Sequence, residues 1–385
     1  MPWSETTRMD ERRRFIELLE SCRFTMTELC ESFGIARKTG YKWAERYVAE
    51  GLAGLEDRSR APKRCPHATE GRCVEALVEE RRRHPRWGPR KLLDRLGRRH
   101  PDWSWPAVST AGAILKRHGL VPPRRRRRRR STRCEKPVLQ AHQPNDLWTT
   151  DFKGEFRLGN RQLCYPLTAM DQVSRYLLDC RARKSVAIAG ARPVFEALFR
   201  RFGLPRAILC DNGTPFAAFQ APCRLSRLSV WWVRLGILPI FIQPGHPEQN
   251  GSHERMHRTL KAATARPPRQ SFGAQQRCFD RFRQEYNTER PHEALELDRP
   301  AERYAPSLRP YPATLPEIDY PGHFEVRRVS SKGSIRWRQR KVFFSESLAR
   351  ERVGLEEIDD GLWSIYLADL LLGRYDERCG ETEWL

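Results

Sequence analysis

Between residues 10 and 50 the apolar positions recur at three- and four-residue spacing, which predicts three short helices. Phe15, Ile16, Leu18 and Leu19 line the first. Thr25-Met-Thr-Glu28 has capping-box spacing and starts the second, Gly34 supplies a turn, and Tyr41, Trp43 and Tyr47 are core candidates of the third. A second helical unit follows, with Val74, Leu77 and Val78, then Leu92, Leu93 and Leu96, then Val108, Ile114 and Leu115. Pro89, in Trp87-Gly-Pro-Arg90-Lys91, suits the first turn of its middle helix.

From residue 144 the period changes. Strands are expected near 147–152, 162–170 and 175–180, a helix near 186–202, strands near 207–210 and 237–242, and helices around Glu254 and over 279–286. Such an order predicts a mixed α/β sheet covered by helices. The stretch 218–234, with Pro222, Trp231 and Trp232, reads as an insertion between the last two strands. After Pro300 a proline-rich connector reaches Pro321, and short alternating segments then predict a small C-terminal β-barrel. The expected divisions are 1–60 and 70–121 for two all-α helix-turn-helix modules, 122–143 for an arginine-rich linker, 144–300 for the α/β core and 322–385 for the barrel.

Charge narrows the choice of partner. Lys and Arg number 71 against 48 Asp and Glu, a net charge of +23, which attracts a polyanion and makes binding salt-dependent. A membrane-surface role finds little support, because the most apolar region, 228–242, is broken by Arg234. No cationic-then-apolar leader opens the sequence, so a cytoplasmic, nucleoid-associated location is expected. The 11 cysteines are scattered without a Cys-x-x-Cys pair, which favours buried thiols over a disulfide framework or zinc knuckle.

The third helix exposes Arg37, Lys38, Thr39 and Lys42 near its start, where a helix-turn-helix meets a major groove. A bundle used only for packing is the competing reading; a cationic first turn is unfavourable without an anionic partner. Arg90 and Lys91 are the corresponding candidates in the second module. Arg124, Arg125, Arg126, Arg127, Arg128, Arg129 and Arg130 form an unbroken run, either a solvated linker or a tether that follows phosphates or enters a narrow minor groove.

Three stretches carry candidate chemistry: Trp148-Thr-Thr-Asp151-Phe, Cys210-Asp211-Asn-Gly-Thr-Pro-Phe216, and His246-Pro-Glu-Gln-Asn-Gly-Ser-His-Glu254-Arg-Met-His-Arg-Thr-Leu-Lys261. Two acids sit on or just after predicted strands and the third on a helix that also carries Arg258 and Lys261. Three carboxylates suit Mg²⁺ or Mn²⁺, and two such ions roughly 3.5–4 Å apart support in-line phosphoryl displacement. Asp171, between two strands, is read as a turn former, and His246, His253 and His257 as phosphate-positioning groups rather than zinc ligands.

Through these motifs, residues 144–300 resemble the DDE transposases and retroviral-type integrases of the ribonuclease-H-like superfamily. The resemblance implies a ribonuclease-H-like core in which Asp151, Asp211 and Glu254 hold two Mg²⁺ or Mn²⁺ ions, with Arg258 and Lys261 close to DNA. Glu248 competes for the third place. Glu248 lies 37 positions after Asp211 and Glu254 lies 43 after it, so the family's usual spacing favours Glu248, whereas the Glu-Arg-x-His context favours Glu254. The implied function is that of an insertion-sequence transposase: it binds terminal repeats of double-stranded DNA, cleaves 3′ ends and joins them to target DNA as a homo-oligomer. A non-catalytic DNA-binding regulator derived from a transposase is the alternative, and a structure-selective nuclease of the same fold a third reading.

Overall fold

A computed structural model describes residues 7–58, 68–121, 140–243 and 246–385, without the side chains of Pro247 and Glu248; the arginine run 124–130 lies outside them. The chain divides into two compact units, Met1–Thr69 and Glu70–Leu385.

The first unit holds α1 (Arg8–Glu20), α2 (Met26–Ser32) and α3 (Arg37–Glu50). The capping box forms as expected: the Glu28 carboxylate accepts from Thr25 N at 2.8 Å, while Thr25 Oγ1 accepts from Glu28 N at 3.4 Å. Gly34, at φ 62°, turns the chain between α2 and α3. A second glycine sets how closely these helices cross. A Cβ on buried Gly40 would lie 2.5 Å from Cys30 Sγ and 2.9 Å from Met26 Sδ, so a larger residue would force α3 off α2. Phe15, Ile16, Leu29, Cys30, Trp43 and Leu55 form the core. Tyr41, expected there, is 48% exposed, because two helical positions from Trp43 carry its side chain to the other side.

In the second unit, α4 (Gly71–Arg83), α5 (Pro89–Arg99) and α6 (Val108–Arg117) enclose Leu77, Trp87, Leu92, Leu96, Ile114 and Leu115. This bundle is tied to the α/β core. Arg95 of α5 pairs with Glu80 and Glu289, each at 2.8 Å, and Arg98 reaches Asp298 at 3.3 Å.

The core sheet contains β1 (Leu147–Phe152), β2 (Phe156–Arg157), β3 (Leu163–Asp171), β4 (Leu177–Arg183), β5 (Ala207–Cys210) and β6 (Leu238–Phe241). β3 runs antiparallel to β1, β2 and β4, whereas β1, β5 and β6 are mutually parallel neighbours. Parallel strands need crossover helices. One is α7 (Ile188–Phe202), between β4 and β5; the other, between β5 and β6, is α8 (Arg227–Arg234). The stretch 218–234 is therefore no peripheral insertion: Trp231 and Trp232 are buried against Phe195, Phe199 and Phe216 in the main core. The helices α9 (Gly251–Thr264) and α10 (Phe272–Gln284) cover the sheet through a second cluster that includes Met170, Leu177, Met256, Leu260 and Phe279. A short α11 (Pro300–Arg303) leads to the connector, where Arg309 donates to the carbonyls of Pro205, Leu235 and Gly236.

The C-terminal strands do not close into the expected barrel. β7 (Glu325–Arg328), β10 (Arg352–Asp359), β11 (Leu362–Leu367), β12 (Leu370–Asp376) and β13 (Glu381–Trp384) form an open antiparallel sheet with β7 and β13 at its edges, and β8 (Ser334–Trp337) pairs with β9 (Arg340–Phe343) as a separate hairpin. The alternating pattern identifies strands correctly. It does not distinguish burial by closure from burial by a neighbour, and here Leu225, Val230 and Val233 from the α8 region join the cluster of Trp337, Phe344, Trp363 and Ile365. Among the described residues no helix is long and apolar enough to cross a membrane.

Candidate active site

Asp151 lies near the end of β1, and Asp211 immediately follows β5, its parallel neighbour, in a pairing that aligns Thr149 with Leu209. The register carries both carboxylates to the same end of adjacent strands. Glu254 projects from the first turn of α9, exposed, into a cleft of about 710 Å³ that it shares with Asp151, Lys153, His257, Arg258 and Lys261. The turn after β5 is fixed at several points: Gly213 N donates to Asp211 Oδ1 at 3.2 Å, and Asn212 Nδ2 donates to the Ile242 carbonyl at 2.7 Å. A Cβ at Gly213 would sit 3.1 Å from Asp211 Oδ2, crowding the carboxylate.

The electrostatics tie the three acids together. Burial, then the negative charge of Asp211 and, less strongly, that of Glu254, push the Asp151 carboxyl from its ordinary 3.8 up to about 7, against the opposing charge of Lys153. Burial also raises Asp211. Among the described residues, however, no three His, Cys, Asp or Glu side chains converge closely enough to cage a metal ion by themselves.

Beneath the acids lies a buried hydrogen-bond network that the sequence did not disclose. Thr168 Oγ1 donates to the Asp151 carbonyl at 3.0 Å and meets His253 Nε2 at 2.7 Å and His257 Nε2 at 2.6 Å. A hydroxyl has one proton, so both imidazoles must donate to it through Nε2–H. His253 Nδ1 then accepts from Thr149 Oγ1 at 2.7 Å, a proton the Met170 carbonyl shares at 3.3 Å, and His257 Nδ1 presents a lone pair 3.5 Å from Asp151 Oδ2. Burial holds His253 down at about 3 and His257 still lower, so both are neutral at pH 7. The phosphate-positioning reading fails for His253, which is fully buried against β1 and β3; His257 borders the cleft but is itself buried, with its Nε2 committed to Thr168. They anchor α9 to the sheet instead. Asp171 behaves as expected of a turn former, accepting from Ser174 N at 2.7 Å and from Asn145 N at 2.8 Å.

The remaining candidates separate. Arg258 and Lys261 line the acidic cleft, named for its carboxylates Asp151 and Glu254, and are exposed. Arg37, Lys38 and Lys42 are exposed on α3, Thr39 is half-buried, and Arg90 is exposed at the start of α5. Lys91 turns away into a second cavity. Sequence reasoning missed Arg86, Lys153 and Arg266, which also line the cleft. Of these, only Lys153 carried a signal, being two residues beyond Asp151 and hence on its side of an extended chain.

Residues 141–247 and 235–300 match the integrase core domain family in two segments that together span the sheet, α9 and α10. The chain carries an integrase core. Residues 11–63 match a helix-turn-helix domain and residues 39–115 a homeodomain-like domain. Similar proteins include the Gag-Pol polyprotein of baboon endogenous virus (strain M7), 31% identical over 122 residues, which are 32% of this chain and 7% of that protein. A 31.7 kDa insertion element IS407 protein of Burkholderia multivorans is 26% identical over 160 residues, 41% of this chain and 55% of that protein. The chain thus spans about half or less of these relatives. The simian T-cell lymphotropic virus intasome structure superposes with a TM-score of 0.38 at 16% identity, covering 69% of this chain and 90% of that one.

Proposed function

We propose that this integrase-core protein is a DNA transposase: it binds the terminal repeats of an element, cleaves at the 3′ ends and transfers them to target DNA. The observation that carries the reading is the parallel pairing of β1 with β5, which sets half-buried Asp151 beside Asp211 at one end of the sheet; after burial itself, the charges of Asp211 and Glu254 help raise the Asp151 carboxyl. That concentration of negative charge is unfavourable unless a proton or a cation relieves it. Hard carboxylate oxygens fit Mg²⁺ or Mn²⁺, and because the three acids form no cage by themselves, water and substrate phosphate would complete the coordination. Asp151, Asp211 and Glu254 would hold two ions, which supply polarisation of the attacking and leaving oxygens. Arg258 and Lys261, exposed in the same cleft, would hold the phosphates of the cut strand, while the first unit reads sequence through α3.

The decisive experiment incubates purified protein with DNA carrying candidate element ends and Mn²⁺ and examines cleaved and joined products. Joined products that disappear in Asp211→Asn support the assignment. Cleavage without joining points to a nuclease of the same fold, and specific binding without either reaction to a regulator. Joining two ends to one target requires at least two active sites, so assembly as a homo-oligomer on DNA belongs to the same proposal.

A further inference from the structure

α9 presents more than one polar strip. Glu254, Arg258 and Lys261 face the acidic cleft, whereas Ser252, Arg255 and Thr259, rotated around the helix, border a separate cavity of about 500 Å³. Four cations from four parts of the chain converge on it: Lys91 from α5, Arg175 from the β3–β4 turn, Arg255 from α9 and Arg290 just beyond the π-helical turn Glu285–Glu289. Glu293 is the single carboxylate in the lining, and His292, held down at about 3 chiefly by burial and then by Lys91 and Arg290, adds no charge at neutral pH. The cations feel one another: after burial itself, the charge of Arg290 helps push the Lys91 ammonium down to about 8.

Arg175 is the most constrained of the four. Its backbone lies at φ 61°, and its buried Nη1 has no hydrogen-bond partner among the described residues. A left-handed non-glycine residue costs energy, and so does an unmade hydrogen bond from a buried guanidinium. The left-handed backbone belongs to the β3–β4 turn, and Asp171 and Glu285 act on Arg175 and Arg290 from outside the lining, but the buried Nη1 is left without a bond. A tetrahedral anion would supply that bond, because guanidinium forks and an ammonium together match its geometry and charge.

We propose that Lys91, Arg175, Arg255 and Arg290 form a phosphate seat, separate from the acidic cleft, that holds a backbone phosphate of bound DNA. The DNA source of the phosphate rests on the function proposed above; the phosphate chemistry of the cavity does not. Since Lys91 belongs to the helical bundle and the arginines to the α/β core, an occupied seat would couple DNA binding to the joint between these parts.

The test uses the full chain and two probes. In the first, inorganic pyrophosphate is titrated while melting temperature is followed; the wild type is expected to show a saturable rise, since a ligand that binds only the folded state stabilises it. Arg255→Gln and the double variant Arg255→Gln/Arg290→Gln lose that rise, and Arg336→Gln, exposed on β8 away from both clefts, keeps it. In the second, affinity for duplex DNA is measured across salt concentrations, and removal of one seated phosphate lowers the slope of log K against log salt by about 0.9. Loss of the pyrophosphate response with an unchanged slope overturns the DNA source in favour of a free phosphate compound. A folded Arg255→Gln protein with both wild-type responses overturns the seat itself. Because Arg255 is exposed, the single variant decides the matter should the double variant fail to fold. If the wild type binds no DNA at all, the transposase reading fails and the pyrophosphate arm alone decides the seat.

Discussion

Replacing Asp151 by Asn should stabilise the metal-free protein while removing its proposed activity. The folded state raises this carboxyl from 3.8 to about 7, so it favours the protonated form. Ionised Asp151 therefore destabilises the fold; the penalty is absent below pH 3.8, grows through the interval and is complete above about pH 7. At 1.36 kcal/mol for each factor of ten, the ceiling is about 4 kcal/mol. The side chain is 25% exposed, and water relaxation is expected to leave roughly 1–2 kcal/mol, or about 2–5 °C in melting temperature for a unit of this size. The Asn amide keeps the shape, carries no charge and offers an N–H to the lone pair on His257 Nδ1. Melting curves in EDTA between pH 5 and pH 8.5 should show the wild type losing stability relative to Asp151→Asn as pH rises through 7. Added Mn²⁺ should reverse the order at pH 8, because cation binding relieves the wild type alone. Parallel pH profiles for the two proteins in EDTA would refute the claim that the three acids crowd one another.

Other outcomes are checked more directly. Asp211→Asn and Glu254→Gln should abolish metal-dependent cleavage and joining while keeping terminal-repeat binding; Glu248→Gln should stay active, and the reverse pattern in a cleavage assay would reassign the third acid. Serine at all positions from Arg124 to Arg130 should weaken specific and random DNA binding alike and flatten the salt dependence, by about 0.9 in slope for each phosphate no longer neutralised. Trp232→Ala should cost about 3–5 kcal/mol in urea denaturation, because it empties a site at the centre of the crossover helix. Thr168→Val, which strips the shared acceptor from two buried imidazole N–H groups, should cost about 2–5 kcal/mol, while Thr168→Ser restores most of it.

Local signals were legible where one residue type answers one local need. Thr25 and Glu28 cap a helix, Ala207–Cys210 is an apolar strand between turns, and Asp211-Asn-Gly ends it; each appears in the structure as its sequence suggested. Tertiary choices were not legible in the same way. Trp231 and Trp232 lie in the most apolar region of the chain, yet their place in a core crossover follows from β5 and β6 being parallel, which no local pattern states. The open C-terminal sheet is a case of the same kind, since its inner face is closed by α8, about a hundred positions earlier in the chain. His253 and His257 were read as phosphate-positioning groups because the sequence does not say which strip of α9 meets the sheet; Met256 and Leu260 marked that strip all along.

Those two histidines also constrain how the sites on α9 can respond to substitution. His253 is held from both sides, by Thr149 on β1 and Thr168 on β3, and His257 is held by the same Thr168 hydroxyl. The helix is thereby fixed in rotation as well as in position, and rotation decides where Glu254 and Arg255 point. A loosened network cannot misplace Glu254 alone, because the neighbouring strip turns with it. Thr168→Val should therefore weaken Mn²⁺ binding and the pyrophosphate response together, whereas Glu254→Gln affects only the first and Arg255→Gln only the second. Titration of the three variants with both probes separates a positioning role from a ligand role: a Thr168→Val protein that loses one response and keeps the other would show that the strips are held independently.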